Sequence, residues 1–96
     1  MIQIKVKPFF HLKELMGGKE TALQLDSGAT VGDALEELCR RFGEKFRESL
    51  IDPLTGKVRP YYRILVEGKD FHQLEDLATH LAEGDVISLF PPVAGG

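Results

Sequence analysis

An α+β fold, with a mixed sheet of four or five strands packed against one main helix, is predicted from three features of the 96-residue chain. Its N-terminus alternates apolar and polar residues with a period of two. A single long apolar stripe at helical spacing follows. Beyond that stripe the strand-like runs are separated by turns and short helical pieces and not by regular helices, which disfavours a doubly wound α/β sheet.

Ile2, Ile4 and Val6 alternate with Gln3, Lys5 and Lys7, so residues 2–7 read as a first strand with one face in the core. Pro8 lacks a backbone N–H and is expected to end the pairing there. Phe9, Leu12 and Leu15 offer an apolar face to a short helical turn that closes at Gly17-Gly18. A second strand is predicted over 19–25, with Thr21, Leu23 and Leu25 on one face and Asp26-Ser27-Gly28 as the following turn. Joined so tightly, the two strands are expected to pair antiparallel, and a later strand can return beside the first.

Thr30 is placed to cap the main helix, with Asp33 three residues on as a short form of the capping-box acid. Val31, Ala34, Leu35, Leu38, Cys39 and Phe42 form its stripe, and Gly43 stops it. Residues 44–60 are the least regular stretch. Phe46, Leu50 and Ile51 read as a short helical extension, and Asp52-Pro53-Leu54-Thr55-Gly56 as a turn. Tyr62 to Val66 forms the third strand, Glu67-Gly68-Lys69-Asp70 a polar turn, and Leu74, Leu77, Ala78 and Leu81 one or two helical or 3₁₀ turns. Gly84-Asp85 turns the chain into a final strand, Val86 to Phe90.

Composition excludes several function classes. Twelve Lys+Arg against fifteen Asp+Glu leave a net charge of −3, without the basic excess that binds phosphate backbones, so no nucleic acid is expected as a partner. No apolar run is long enough for a membrane span or a signal peptide, which places the expected location in the cytoplasm. The single Cys39 cannot form an internal disulfide, and its place within the helical stripe reads as packing rather than as a nucleophile.

A search for catalytic patterns is mostly negative. Gly17-Gly18 lacks phosphate-loop spacing, and His11, His72 and His80 stand far apart with no ligand spacing, so no metal site is expected. The acids Glu36-Glu37 and Glu75-Asp76 are adjacent in sequence and therefore diverge, which favours a solvated face over acid–base work.

The end of the chain, Phe90-Pro91-Pro92-Val93-Ala94-Gly95-Gly96, stands out. Two prolines end the strand and favour extended geometry, so 91–96 reads as an extended, flexible tail on a single domain spanning 1–96. Four residues beyond Pro92 reach about 13 Å, enough to enter another protein's active site. Gly95 and Gly96, lacking Cβ atoms, pass a narrow channel. The Gly96 α-carboxylate is a poor electrophile until an oxygen becomes a leaving group, as adenylation by ATP would achieve.

With these residues the sequence resembles the ubiquitin-like sulfur carriers, most closely the MoaD family of molybdopterin synthase small subunits. The match rests on Phe9 to Gly17, on Thr30-Val31 with Asp33-Ala34-Leu35, on Leu81 with Gly84-Asp85-Val86-Ile87, and above all on Phe90-Pro91-Pro92-Val93 with Gly95-Gly96. The resemblance implies the β-grasp (ubiquitin-like) fold. It implies a carrier and not an enzyme, with no catalytic side chain and no bound cofactor. A MoeB-type E1-like adenylating enzyme would use ATP to activate Gly96, which would become a C-terminal thiocarboxylate. A MoaE-type large synthase subunit would then receive the tail and pass sulfur to a pterin precursor of the molybdenum or tungsten cofactor. Gly96, Gly95 and Ala94 carry over as the tail, and Phe90, Pro91, Pro92, Val93 and Phe9 as partner contacts. For the aromatics a core role stands beside the interface role.

Two departures bear on the partner: residues 44–60 look like an insertion relative to the shortest members, and Glu67-Gly68 stands where many have Asn-Gly. Related carriers with the same end serve thiamin or tRNA thiolation, or are protein modifiers joined to lysine. Residues 70–96 hold five acids and no Lys or Arg, so an acidic surface near the tail is expected to steer towards a basic partner, beside the plainer reading of a solvated acidic face.

Overall fold

The structure is a computed structural model and describes residues 1–92; the tail positions Val93, Ala94, Gly95 and Gly96 lie outside the described residues. Alternation at the N-terminus produces β1, Ile2–Pro8, whose Ile4, Val6 and Pro8 are buried while Gln3, Lys5 and Lys7 face water. Pro8 is the last residue of the strand, opposite Leu89, and the Phe9 N–H continues the ladder one residue further by donating to the Leu89 carbonyl at 3.1 Å. The short α1, Leu12–Leu15, follows. The turn closes at Gly17-Gly18, and Leu12 enters the core as expected, but Met16, four residues on and so on the same face, goes in with it while Leu15 stays exposed.

Strand β2, Thr21–Leu25, pairs antiparallel with β1 in the register Ile2↔Leu25 to Val6↔Thr21, two residues shorter at its start than the alternation predicts. Helix α2, Val31–Phe42, has both halves of its capping box: the Asp33 N–H donates to Thr30 Oγ1 and the Thr30 N–H to Asp33 Oδ2. Its stripe of Val31, Ala34, Leu35, Leu38 and Cys39 is buried against the sheet. Gly32 permits a close approach on that helix, since a Cβ there would stand 3.2 Å from the Leu77 carbonyl oxygen. Gly43, at φ 92°, ends α2 and opens α3, Glu44–Leu50, which buries Phe46 and Leu50.

The 51–59 stretch is more regular than its sequence implies. Ile51 bridges Val58, the Asp52 N–H donates to the Lys57 carbonyl, and the Gly56 N–H to the Asp52 carbonyl. Arg59 then ties the stretch to α3, donating its backbone N–H to the Leu50 carbonyl and its Nε to the Glu48 carbonyl.

Strand β3, Arg63–Val66, leads through Glu67-Gly68 into β4, Lys69–Asp70, so the predicted four-residue turn is a two-residue one and its second half is a short fifth strand. Both central residues have positive φ, 51° and 82°, the backbone that Asn-Gly favours. Glu67 is held in it by its carboxylate, which accepts the Val86 N–H at 2.7 Å and so anchors the turn to the neighbouring strand. Two 3₁₀ turns, Phe71–Gln73 and Asp76–Ala78, form the short helical pieces expected here. Leu77 and Leu81 pack from this stretch, while Leu74 is exposed.

Strand β5, Val86–Phe90, lies between β1, to which it is parallel, and β3, to which it is antiparallel. The sheet order is β2-β1-β5-β3-β4, a mixed five-stranded β-grasp with α2 on one face. Ile4, Val6, Leu23, Ile64, Ile87 and Leu89 form the sheet side of the core. No helix among the described residues is long and apolar enough to cross a membrane.

Candidate functional site at the tail exit

Because β5 is central and parallel to β1, the chain leaves the sheet beside the end of β1. There Phe9 and Phe90, both half-buried, stack with ring centroids 4.2 Å apart and planes 12° from parallel. Pro91 is buried and Pro92 exposed. The strand therefore hands over to the tail at a point pinned by an aromatic pair and a packed proline.

An apolar depression of about 380 Å³ opens at this point, lined by Phe90, Pro91 and Pro92 together with Phe10, Tyr61, Arg63 and Leu65. Phe10 is 53% exposed and Tyr61 54%. Phe10 also carries a φ of 56°, a backbone region that a bulky L-residue enters only at a cost of about 1–2 kcal/mol. Its solvent-facing ring thus combines exposure with local strain at the exit. A second, more open depression of about 620 Å³ adjoins it, since Tyr61 and Pro92 line both. Its other walls include His11, Lys45, Glu48, Ser49, Arg59 and Tyr62. The Tyr62 and Ser49 hydroxyls are hydrogen-bonded, and burial pushes the Tyr62 phenol above its ordinary value.

The tail contacts predicted from sequence divide accordingly. Phe90, Pro91 and Pro92 come together at the exit, while Val93, Ala94, Gly95 and Gly96 lie beyond the described residues. Phe9 joins the group through its stack, but the ring offered to solvent at the end of β1 is that of Phe10. Tyr61, Arg63 and Leu65 were not legible as site residues, because only the pairing of β3 with β5 brings them to the tail, and Phe10 reaches it through the parallel pairing of β1 with β5.

The remaining titratable candidates are placed elsewhere. Cys39 is buried beneath α3, and that burial raises its thiol above the ordinary value. The adjacent acids diverge into separate ion pairs, Glu37 with Arg40 and Glu36 with Arg47. The guanidinium of Arg47 holds the Glu36 carboxyl below its ordinary range. His72 bonds Asp76 and His80 bonds the Gly28 carbonyl, and no group of three potential metal ligands occurs among the described residues.

Of the acids expected near the tail, Asp70 stands 4.0 Å from Arg63 at the exit, while the fold carries Glu83, Asp85 and Asp76 elsewhere. Glu83 accepts the Gln3 N–H and the Asp85 carbonyl accepts the Lys5 N–H, both at the opposite end of β5 from the exit. Asp76 bonds His72 and lies in the 3₁₀ turn packed on α2. Closeness in sequence fails for Glu83 and Asp85 because one strand of five residues carries the chain about 17 Å from them.

Comparison with known proteins adds four likenesses. The chain matches the ThiS family over residues 6–96. It is 35% identical over 95 residues to small archaeal modifier protein 3 of Haloferax volcanii, covering 99% of this chain and 100% of that one. It is 35% identical over 71 residues to the sulfur carrier protein CysO of Mycobacterium tuberculosis, covering 73% and 75% respectively. A solved structure from Pyrococcus furiosus, described as a putative molybdopterin converting factor subunit 1, superposes with a TM-score of 0.77 at 31% identity, over 97% of this chain and 100% of that one.

Proposed function

The chain belongs to the ThiS family of ubiquitin-like sulfur carriers and modifiers, and from that premise we propose that it is a protein modifier activated at the Gly96 carboxylate. The observation that carries the reading is the exit itself. A rigid sheet, an aromatic stack and a packed proline hold the base of a segment that ends in Gly95-Gly96.

In this reading a carboxylate oxygen of Gly96 attacks the α-phosphorus of ATP and pyrophosphate leaves. A lysine amine of another protein then displaces AMP, forming an isopeptide bond and releasing a proton. Hydrosulfide in place of the amine forms the thiocarboxylate, so modification and sulfur transport share their first step. The chain supplies no catalytic side chain and holds no cofactor of its own. An E1-like adenylating enzyme of the MoeB type binds the ATP. Lysine conjugation is placed first because the likeness to an archaeal modifier runs from end to end.

A second reading, sulfur donation to a pterin precursor as the small subunit of molybdopterin synthase with a MoaE-type large subunit, draws support from the likeness to the Pyrococcus protein. Mass spectrometry separates the two. No Lys or Arg follows Lys69, so trypsin leaves residues 70–96 on a modified lysine. An Ala94→Lys variant shortens that remnant to diglycine. Diglycine-branched lysines on other proteins support conjugation. Intact chains with one oxygen replaced by sulfur, and no branched lysines, support the synthase reading. Neither product in the presence of activating enzyme, ATP and a sulfur source overturns both.

A further inference from the structure

We infer that the rim around the tail exit is a cationic docking surface for an acidic face of the protein that receives the tail, the reverse of the polarity expected from the order of charges along the chain. The inference rests on the carrier or modifier reading above, in which Gly96 is adenylated, and adds the chemistry of the partner. The two depressions that meet at Tyr61 and Pro92 are lined by the cations Lys45, Arg59 and Arg63, against a single acid, Glu48.

These cations are largely uncommitted. Lys45 has no ion-pair partner among the described residues, and Arg59 spends its Nε on the Glu48 backbone carbonyl and not on a carboxylate. Arg63 has only Asp70, 4.0 Å away. The surroundings of the exit are therefore positive on a chain whose net charge is −3, with Asp76, Glu83 and Asp85 held elsewhere in the fold. Such a dipolar distribution orients an approaching partner before contact, and the adjoining apolar depression between Phe10, Leu65 and Phe90 supplies the desolvated centre that a protein interface needs. That apolar centre, together with the net negative charge, favours a protein over a nucleic acid as the polyanion.

The test is an amide-shift titration of the full chain at low salt with three probes: hexaglutamate, hexalysine and dodecathymidylate. Hexaglutamate is expected to give saturable shifts at His11, Lys45, Arg59, Tyr61 and Arg63. The Lys45→Glu variant is expected to weaken its binding about three- to fivefold, and Lys57→Glu, outside both depressions, to leave it unchanged. With the E1-like adenylating enzyme of the same organism, Lys45→Glu is expected to raise KM for the chain by the same factor at low salt, with kcat unchanged and no difference at high salt. The inference is overturned if hexaglutamate causes no saturable shift at the rim, if hexalysine binds there, if dodecathymidylate binds more tightly than hexaglutamate, or if Lys45→Glu leaves KM unchanged. Failure of the carrier reading registers separately, as no adenylation of the unaltered chain, because the titration does not involve Gly96.

Discussion

Phe9 and Phe90 stack at 4.2 Å across the ends of two parallel strands, so the last residue of β5 is clamped to the residue that follows β1. The contact joins the first ten residues of the chain to its last ten. It also fixes the base of the tail, since Pro91 packs directly after the stacked ring.

That clamp is expected to be worth about 0.5–1.5 kcal/mol beyond the area it buries. Phe9→Ala, Phe90→Ala and the double variant, compared by urea denaturation, form a cycle whose coupling energy falls in that range. A coupling energy near zero shows that the rings pack independently and that the tail base is not pinned by their contact.

Phe10→Gly separates strain from recognition. Removing the side chain relieves the left-handed backbone at φ 56°, while the glycine's greater freedom when unfolded offsets much of that gain. Global stability is expected to stay within about 1 kcal/mol of the parent. The rate of Gly96 adenylation at limiting chain concentration is expected to fall, because the exposed ring of the exit depression is gone. A loss of stability well beyond that margin, or unaltered adenylation, counts against Phe10 as a contact residue.

Thr30→Ala removes one half of the capping box on α2 and leaves an N–H of the first turn without its acceptor. The expected cost is about 1 kcal/mol, read as a lower urea midpoint with an unchanged slope. Thr30→Ser, which keeps the oxygen, is expected to recover most of it.

Burial raises the Cys39 thiol above its ordinary value of 9.0. A group with a raised folded-state value contributes stability that is fully present below the unfolded value and is lost as pH rises from there towards the folded one. Stability is therefore expected to hold up to about pH 9 and to decline above it. Cys39→Ala, although less stable at neutral pH, is expected to show a shallower decline between there and the onset of tyrosine ionisation, where Tyr62, also raised by burial, adds its own loss. Equal slopes in parent and variant remove Cys39 as the cause.

The elements were legible where their causes are local. Alternation marks β1, a capping pair and a stripe mark α2, and paired prolines after β5 mark the start of the tail. Each is written within a window of a dozen residues, because backbone periodicity and capping act over one or two turns. The tertiary structure decided what long-range pairing alone can set. It brought Tyr61 and Arg63 to Phe90 through the antiparallel match of β3 with β5, and turned Phe10 rather than Phe9 towards solvent. It also carried Glu83 and Asp85 to the end of β5 away from the tail. Charge and exposure at a site depend on distance through space, and a central strand that crosses the whole sheet separates neighbours in sequence as surely as it gathers residues far apart.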